Sequence, residues 1–288
     1  MNDVVDFSKK FPDNRRERER EPLLRQAQLV LLRMMKIIDY LCRKHNIRYW
    51  LCSGTLLGAV RQKGFIPWDD DLDICMPRED YERFLRIALA EFPDDMMLQT
   101  CETDPHYRYL PMPCKVRDKK SFILSPGHET EECAKGLFLD IFPVDRFHSH
   151  PLLFRKEQLL KAYHIFICKC LDSVYFTHES IIRRILAVFH PVFRFLVIRY
   201  QASVRKMIER NKTLDTKCYI GPGFDVAWSC YSGYEDIYPL SEITFEDASF
   251  FAPHSPEAYL HTQFGPDYLT PPPENKRLQH ASVIKPIL

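Results

Sequence analysis

The chain has 288 residues, 45% hydrophobic and 27% charged, which excludes a disordered chain, a collagen and a coiled-coil rod and gives length enough to bury a full core. Lys and Arg number 40 against 39 Asp and Glu, a formal net charge of +1, so nothing draws the whole chain to nucleic acid and any phosphate-binding patch is local. Glycines number only nine, which argues against a Gly-rich phosphate loop as the main device.

Residues 1–20 read as a solvated, partly disordered leader without the apolar core of a secretory signal. From Pro22 to His45, Leu24, Leu31, Leu32, Met35, Ile38 and Leu41 recur at mostly helical spacing and predict an amphipathic helix that stops at Asn46. Ile47–Cys52, β-branched and aromatic, predicts a strand. Ser53-Gly54-Thr55 predicts a turn ahead of a short helix over 56–62, ended by the Gly64–Pro67 stretch. Asp69–Met76 alternates as a strand, and Pro77 opens a helix that runs to about Phe92. Strands are expected near 97–100, 112–117, 121–124 and, most strongly, 136–142. Residues 151–212 read as helical and basic, and 213–288 as irregular, rich in turns and aromatics.

No uncharged apolar run reaches the roughly 18 residues of a membrane span. The nearest approach, residues 181–200, carries Arg183, Arg184, Arg194 and Arg199 around Pro191. It reads first as a kinked pair of core helices, and alternatively as a basic amphipathic segment lying peripherally on an anionic membrane surface. Ten cysteines form no Cys-x-x-Cys pair, so a zinc ribbon or thioredoxin-type site is not expected. Without a signal segment the thiols are expected to be reduced and the protein cytoplasmic, with peripheral contact at the inner face of the membrane as the variant.

The chemistry concentrates between Ser53 and Met76. Asp71 and Asp73 lie two apart on a predicted strand and share a face, while Leu72 and Ile74 turn to the other. Neighbouring carboxylates repel, and a divalent cation removes that cost. Oxygen ligands suit Mg²⁺ or Mn²⁺ rather than zinc. Asp140 stands in the otherwise apolar run GLFLDIF, where an acid is expensive unless paired or metal-bound. Two such strands side by side would bring Asp140 to Asp71 and Asp73, a frame for metal gripping a phosphate. A calcium loop starting at Asp69 is disfavoured, because Ile74 occupies the position that needs Gly and Asp80 the position that needs Glu. A solvated, helix-capping acid cluster accounts for Asp69 and Asp70 but not for Asp140. Ser53, Gly54 and Thr55 offer hydroxyls and backbone N–H groups to an anion, though such turns are more often plain caps. Arg61 and Lys63 follow within reach of a phosphate, and Lys115 and Arg117 share a face of the predicted strand in CKVRD. Each of these cations reads equally well as a solvated surface charge.

The run GTLLGAVRQKGFIPWDDDLDICMPREDYERF, followed in order by LQTCETDPHYRYLPMPCKVRD, GLFLDIFPVD and FGPDYLTPPPENKR with His280 nearby, resembles the signature of the LicD family. These are bacterial phosphocholine transferases related to fukutin and fukutin-related protein. The resemblance is dense over 24–150, sparser over 255–280, and has no motif in 151–250. It implies an α/β (α+β) fold, a nucleotidyltransferase-like mixed β-sheet flanked by helices, with a helical insertion and an irregular C-terminal region. The expected organisation is a leader at 1–20, a catalytic core at 21–150, a basic helical region at 151–212, and a C-terminal region at 213–288 completing the substrate cleft. The implied activity is a Mg²⁺-dependent (or Mn²⁺-dependent) transfer of phosphocholine from CDP-choline to a hydroxyl of a cell-surface glycan: lipopolysaccharide, teichoic acid or capsule. Alternatives are transfer of ribitol or glycerol phosphate from its CDP donor, nucleotidyl transfer releasing pyrophosphate, or a catalytically silent glycan- or nucleotide-binding protein. The family's Gly-Ser/Thr turn, Asp-hydrophobic-Asp pair and later acid fall on Gly54-Thr55, on Asp71 and Asp73, and on Asp140. Ser53 stands where the family often has Gly, and the zinc-binding cysteines and histidine of fukutin-related protein have no counterpart. A choline headgroup favours aromatic faces; Tyr107, Tyr109, Trp228, Tyr231 and Tyr234 are candidates, each also readable as ordinary packing.

Overall fold

A computed structural model describes residues 5–107, 114–126, 129, 132–171, 181–277, 279 and 281–288. In chain order it contains α1 (Phe7–Lys10), α2 (Leu23–Lys44), β1 (Trp50–Leu51), α3 (Ser53–Gln62), β2 (Leu72–Pro77), α4 (Arg78–Glu91), β3 (Met96–Gln99), β4 (Lys115–Asp118), β5 (Phe122–Leu124) and β6 (Phe138–Phe147). Then follow α5 (Pro151–Leu171), α6 (Ile181–Asn211), β7 (Tyr219–Pro222), β8 (Ser232–Gly233), α7 (Tyr234–Ile237), β9 (Ser241–Phe245), β10 (Ala248–Ala252), α8 (Pro256–Phe264) and β11 (Val283–Lys285). The result is a mixed α/β fold whose main sheet runs β1-β2-β6-β4-β3, with β7 and β8 continuing from β6.

Strand β6 is the axis of this sheet. It pairs parallel with β2 and antiparallel with β4 and β7. Nine of its ten residues are buried, as expected of a central strand covered on both faces. A parallel β2–β6 pair needs a long crossover, and α4, β3, β4 and β5 lie within it. Register then sorts chemistry by rows. Leu72, Leu139 and Val116 sit opposite one another and are fully buried, whereas the next row is Asp73, Asp140 and Lys115. Side chains directly opposite on neighbouring strands share a face, so one side of the sheet is apolar core at the level where the other gathers charge. Helix α2 supplies much of that core through Leu31, Met34, Met35, Ile37, Ile38 and Leu41, all fully buried. Each such side chain contributes about 1.5–3 kcal/mol relative to leaving it in water.

Several expectations change in the structure. Part of the leader is docked: Phe7 and Phe11 pack on Tyr40, and buried Arg15 donates to both carboxylate oxygens of Asp118 and to the Pro286 carbonyl, while residues 16–20 are exposed. Residues 213–288 hold β7–β11, α7 and α8 rather than irregular chain. Two of those strands extend the main sheet, β9 and β10 form a hairpin, and β11 pairs with β5. The Ser53-Gly54-Thr55 turn is the first turn of α3 itself. In the 181–200 segment Val188, Val192, Phe195 and Ile198 are exposed on α6, which continues through Pro191, while Tyr200 is buried. Among the described residues no helix is long and apolar enough to cross a membrane.

Candidate active site

The charged row of the sheet opens into a cleft of about 670 Å³. Asp71, Asp73 and Asp140 face it, and each offers a carboxylate oxygen within 4.8 Å of the other two. The cause is the parallel β2–β6 register: Asp73 is opposite Asp140, and Asp71, two residues earlier, leans from the same side. Burial, reinforced by the carboxylates of Asp71, Asp140 and Asp69, pushes the Asp73 pKa well above the usual carboxylate value. Lys115 opposes this from the third strand, its Nζ donating to Asp140 Oδ1 at 2.6 Å. Burial lowers the pKa of that ammonium, while Asp140 holds it up. Three carboxylates gathered on one face offer the oxygen-only donor set that a hard divalent cation takes.

Arg117 lines the same wall two residues along β4. It donates through Nη1 to the Gly136 carbonyl at 2.6 Å and through Nε to Gln99 Oε1. Phe138 lies beneath both cations, 3.5 Å from Lys115 Nζ and 5.0 Å from Arg117 Cζ, ring centroid to atom. The close crossing needs Gly136, because a Cβ there would stand 1.7 Å from the Asp118 carbonyl oxygen.

The α3 residues divide. Ser53 lines the cleft, its hydroxyl accepting from Gln263 Nε2 of α8 at 3.2 Å. Its φ is 50°, in the left-handed region where glycine is least strained. That accounts physically for glycine being common there in the family it resembles. Gly54 also lines the cleft, and a Cβ on it would lie 2.7 Å from Asp69 Oδ2. Thr55 does not reach the cleft: it is buried, and its Oγ1 accepts the Asp73 backbone N–H at 2.8 Å. Thr55 therefore positions β2 instead of cradling an anion, because the first helical turn points its side chain back toward the sheet.

Arg61 and Lys63 are not on the cleft wall. Lys63 is the left-handed cap of α3, with φ 59°, and its side chain is exposed. Arg61 lies at the rim, its guanidinium 5.9 Å from the Trp68 ring centre, with Arg277 on the same ring at 4.4 Å. The sequence placed both within reach of a phosphate, but the ten-residue helix α3 and its cap carry them away from the cleft wall. Asp70 is fully buried and accepts the Ala281 N–H at 2.8 Å, so it is not a solvated cap. Asp80 binds Arg48 and Arg83, which removes the last residue of a calcium loop.

Of the aromatic candidates, Tyr107 lines the cleft. Trp228 packs behind it on Phe142, Tyr231 is on Phe147 and Phe154, and Tyr234 is on Tyr238. Those three are half-buried and pack against the core rather than facing the cleft. Tyr109 and His280 lie outside the described residues. Sequence reasoning missed Trp68, Lys135, Gln263 and Lys276, all on the cleft wall. Only Trp68 and Lys276 carried a signal, since they fall in the runs IPWDDD and PPPENKR.

A carboxylate trio on adjacent strands, entered by a helix bearing a small-residue turn, is the arrangement of nucleotidyltransferase-type phosphoryl-transfer proteins. The comparisons agree with that arrangement: residues 46–166 match the LicD/FKTN/FKRP nucleotidyltransferase domain. The chain is 29% identical over 273 residues, 89% of its length and 95% of the relative's, to lipopolysaccharide cholinephosphotransferase LicD of Haemophilus influenzae. It is 53% identical over 124 residues to an uncharacterized protein of Rickettsia prowazekii, 43% of this chain and 44% of that one. A 46-residue stretch, 16% of this chain and 9% of the relative, is 44% identical to human ribitol 5-phosphate transferase FKRP.

Proposed function

We propose that this protein is a divalent-metal-dependent phosphotransferase that moves phosphocholine from CDP-choline to a hydroxyl of a cell-surface glycan, at the inner face of the cell. The observation that carries this reading is the convergence of Asp71, Asp73 and Asp140 in one cleft, with Lys115 as their counter-charge. The cholinephosphotransferase that matches along most of the chain supports the donor. The oxygen-only donor set fits Mg²⁺ or Mn²⁺, which Asp71, Asp73 and Asp140 would hold. When bound, such an ion polarises the phosphoryl group and neutralises charge developing on its oxygens.

The chain's own groups do the rest. Lys115 and Arg117, fixed on β4, neutralise the diphosphate. Ser53 and the N–H groups at the start of α3 hold its oxygens, with Gly54 allowing close approach. The acceptor hydroxyl attacks the choline-bearing phosphorus in line. A new P–O bond to the glycan forms as the bond from that phosphorus to the bridging oxygen breaks, and CMP leaves with the electron pair. A cleft carboxylate takes the hydroxyl proton as the new bond forms. Of the aromatic candidates read from the sequence, Tyr107 lines the cleft and offers its ring to the quaternary ammonium.

A second reading, ribitol or glycerol phosphate as the transferred group, is favoured by the short match to the ribitol 5-phosphate transferase. The test is CMP release by purified protein with Mg²⁺ and, separately, CDP-choline, CDP-ribitol and CDP-glycerol, and pyrophosphate release from CTP. Turnover of CDP-choline that is lost in Asp71→Asn supports the proposal. Turnover of CDP-ribitol alone moves the reading to the second donor, and pyrophosphate release or no turnover with any donor overturns it.

A further inference from the structure

Helices α5 and α6 pack antiparallel, as shown by His164 stacked on Tyr200 at 4.3 Å and by Phe154, Leu160, Met207 and Ile208 sharing one apolar cluster with Phe147 and Phe224. Their base is anchored: Glu157, 2% exposed, accepts from Asn211 Nδ2 at 2.8 Å and from the His148 N–H at 2.9 Å. Away from that base both helices turn apolar side chains to solvent. On α5 these are Leu159 (63%), Tyr163 (46%) and Phe166 (62%); on α6 they are Val188 (75%), Val192 (52%) and Phe195 (59%). Their spacings, four and three on α5 and four and three on α6, make one stripe on each helix.

The charge around these stripes is predominantly basic. Residues 181–208 contain six Lys and Arg and not one Asp or Glu. Over 151–212 there are twelve Lys and Arg against four Asp and Glu, net +8; the remaining residues carry 28 against 35, net −7. Exposed Arg194 and Arg199 flank the α6 stripe. A second copy of the same arm would bring like charge to like charge, whereas an anionic bilayer offers opposite charge at its surface and hydrocarbon just beneath it.

We propose that the α5–α6 arm docks this protein on an anionic membrane surface, its two apolar stripes entering the headgroup layer and its arginines meeting lipid phosphates. The site is independent of the acid cleft, so it stands whether or not the donor assignment holds. A membrane-seated arm would place the cleft beside lipid-linked acceptors.

The experiment is co-sedimentation of the full chain with vesicles of phosphatidylcholine alone and of phosphatidylcholine with phosphatidylglycerol in equal parts, at low and high salt. Wild-type protein should pellet with the mixed vesicles, be released by salt, and stay in solution with phosphatidylcholine. Arg194→Gln with Arg199→Gln should weaken partitioning about 25-fold, about fivefold for each basic residue at an anionic surface. Phe195→Ser should weaken it more than about tenfold, the loss of one buried aromatic anchor. All three positions are exposed, and unchanged circular dichroism will show that folding is intact. No pelleting at low salt overturns the proposal, as does pelleting that these variants leave unchanged. Dimerisation in solution that buries the stripes, seen by sedimentation velocity and abolished by Phe195→Ser, overturns it in favour of a second copy.

Discussion

Asp73→Asn removes one negative charge from the acid trio without changing its shape, and its effect should reverse sign with metal. In wild-type protein without divalent ions, the trio's oxygens lie within 4.8 Å of one another. At an effective dielectric near 20, one like-charge pair at that distance costs about 3.5 kcal/mol. Lys115 pairs with Asp140 at 2.6 Å, and Asp73 feels the carboxylates of Asp71, Asp140 and Asp69, so replacing it relieves about one such like-charge repulsion. The variant in EDTA should therefore be more stable than wild type by about 3 kcal/mol, or about 6 °C in Tm for a chain of this size. With Mg²⁺ at about a hundred times its Kd, wild type should gain about 2.7 kcal/mol, whereas the variant should gain little and lose CMP release. Scanning calorimetry in EDTA and in Mg²⁺, alongside the CMP assay, measures all three quantities. A variant less stable than wild type in EDTA, or an equal Mg²⁺ shift in both, would refute the claim that these carboxylates form one charge-strained cation site.

Thr55→Val keeps the side-chain volume and deletes the acceptor of the Asp73 N–H; urea unfolding should show a loss of about 1–3 kcal/mol, the cost of a buried unpaired donor, and Thr55→Ser should restore most of it. A second expectation concerns Lys161, 1% exposed, whose Nζ donates to the Pro222 and Trp228 carbonyls at 2.6 and 2.7 Å. Burial lowers its pKa to about 7, against the nearby Asp145 and Asp225 that raise it, with Arg78 adding to the lowering. The unfolded chain therefore binds more protons above pH 7, and stability should rise with pH there, by up to about 1.4 kcal/mol per unit. That contribution is full above the unfolded lysine pKa and is lost as pH falls through 7. Denaturation at several pH values should show the slope in wild type and not in Lys161→Met, which should also lose about 1–3 kcal/mol at pH 7 from two undonated carbonyls.

The acid trio was legible because strand parity is a local property. Asp71 and Asp73 share a face whatever the strand pairs with, and an aspartate inside GLFLDIF announces a partner by its cost alone. Lys115 and Arg117 were legible as a pair for the same reason, but the row that sets Lys115 against Asp140 depends on register between β4 and β6. Thr55, Arg61 and Lys63 were misplaced because the helix starts at Ser53 instead of after Thr55, which rotates every following side chain about 100° per residue. Gln263 and Lys276 reach the cleft from more than 200 residues past Ser53, and no local pattern encodes such a meeting.

By itself the sequence determined the helix α2, the alternating strands, the unusual acids and the basic, acid-free stretch at 181–208, since each follows from side-chain period and composition within one segment. Tertiary structure alone decided which strands pair and in what register, and hence that Asp73, Asp140 and Lys115 form a row. It also decided that Asp70 is tied to Ala281 and that the apolar faces of α5 and α6 are left uncovered. The physical reason is that pairing and burial are contacts between distant segments, fixed by how the whole core packs, whereas periodicity is written along the chain.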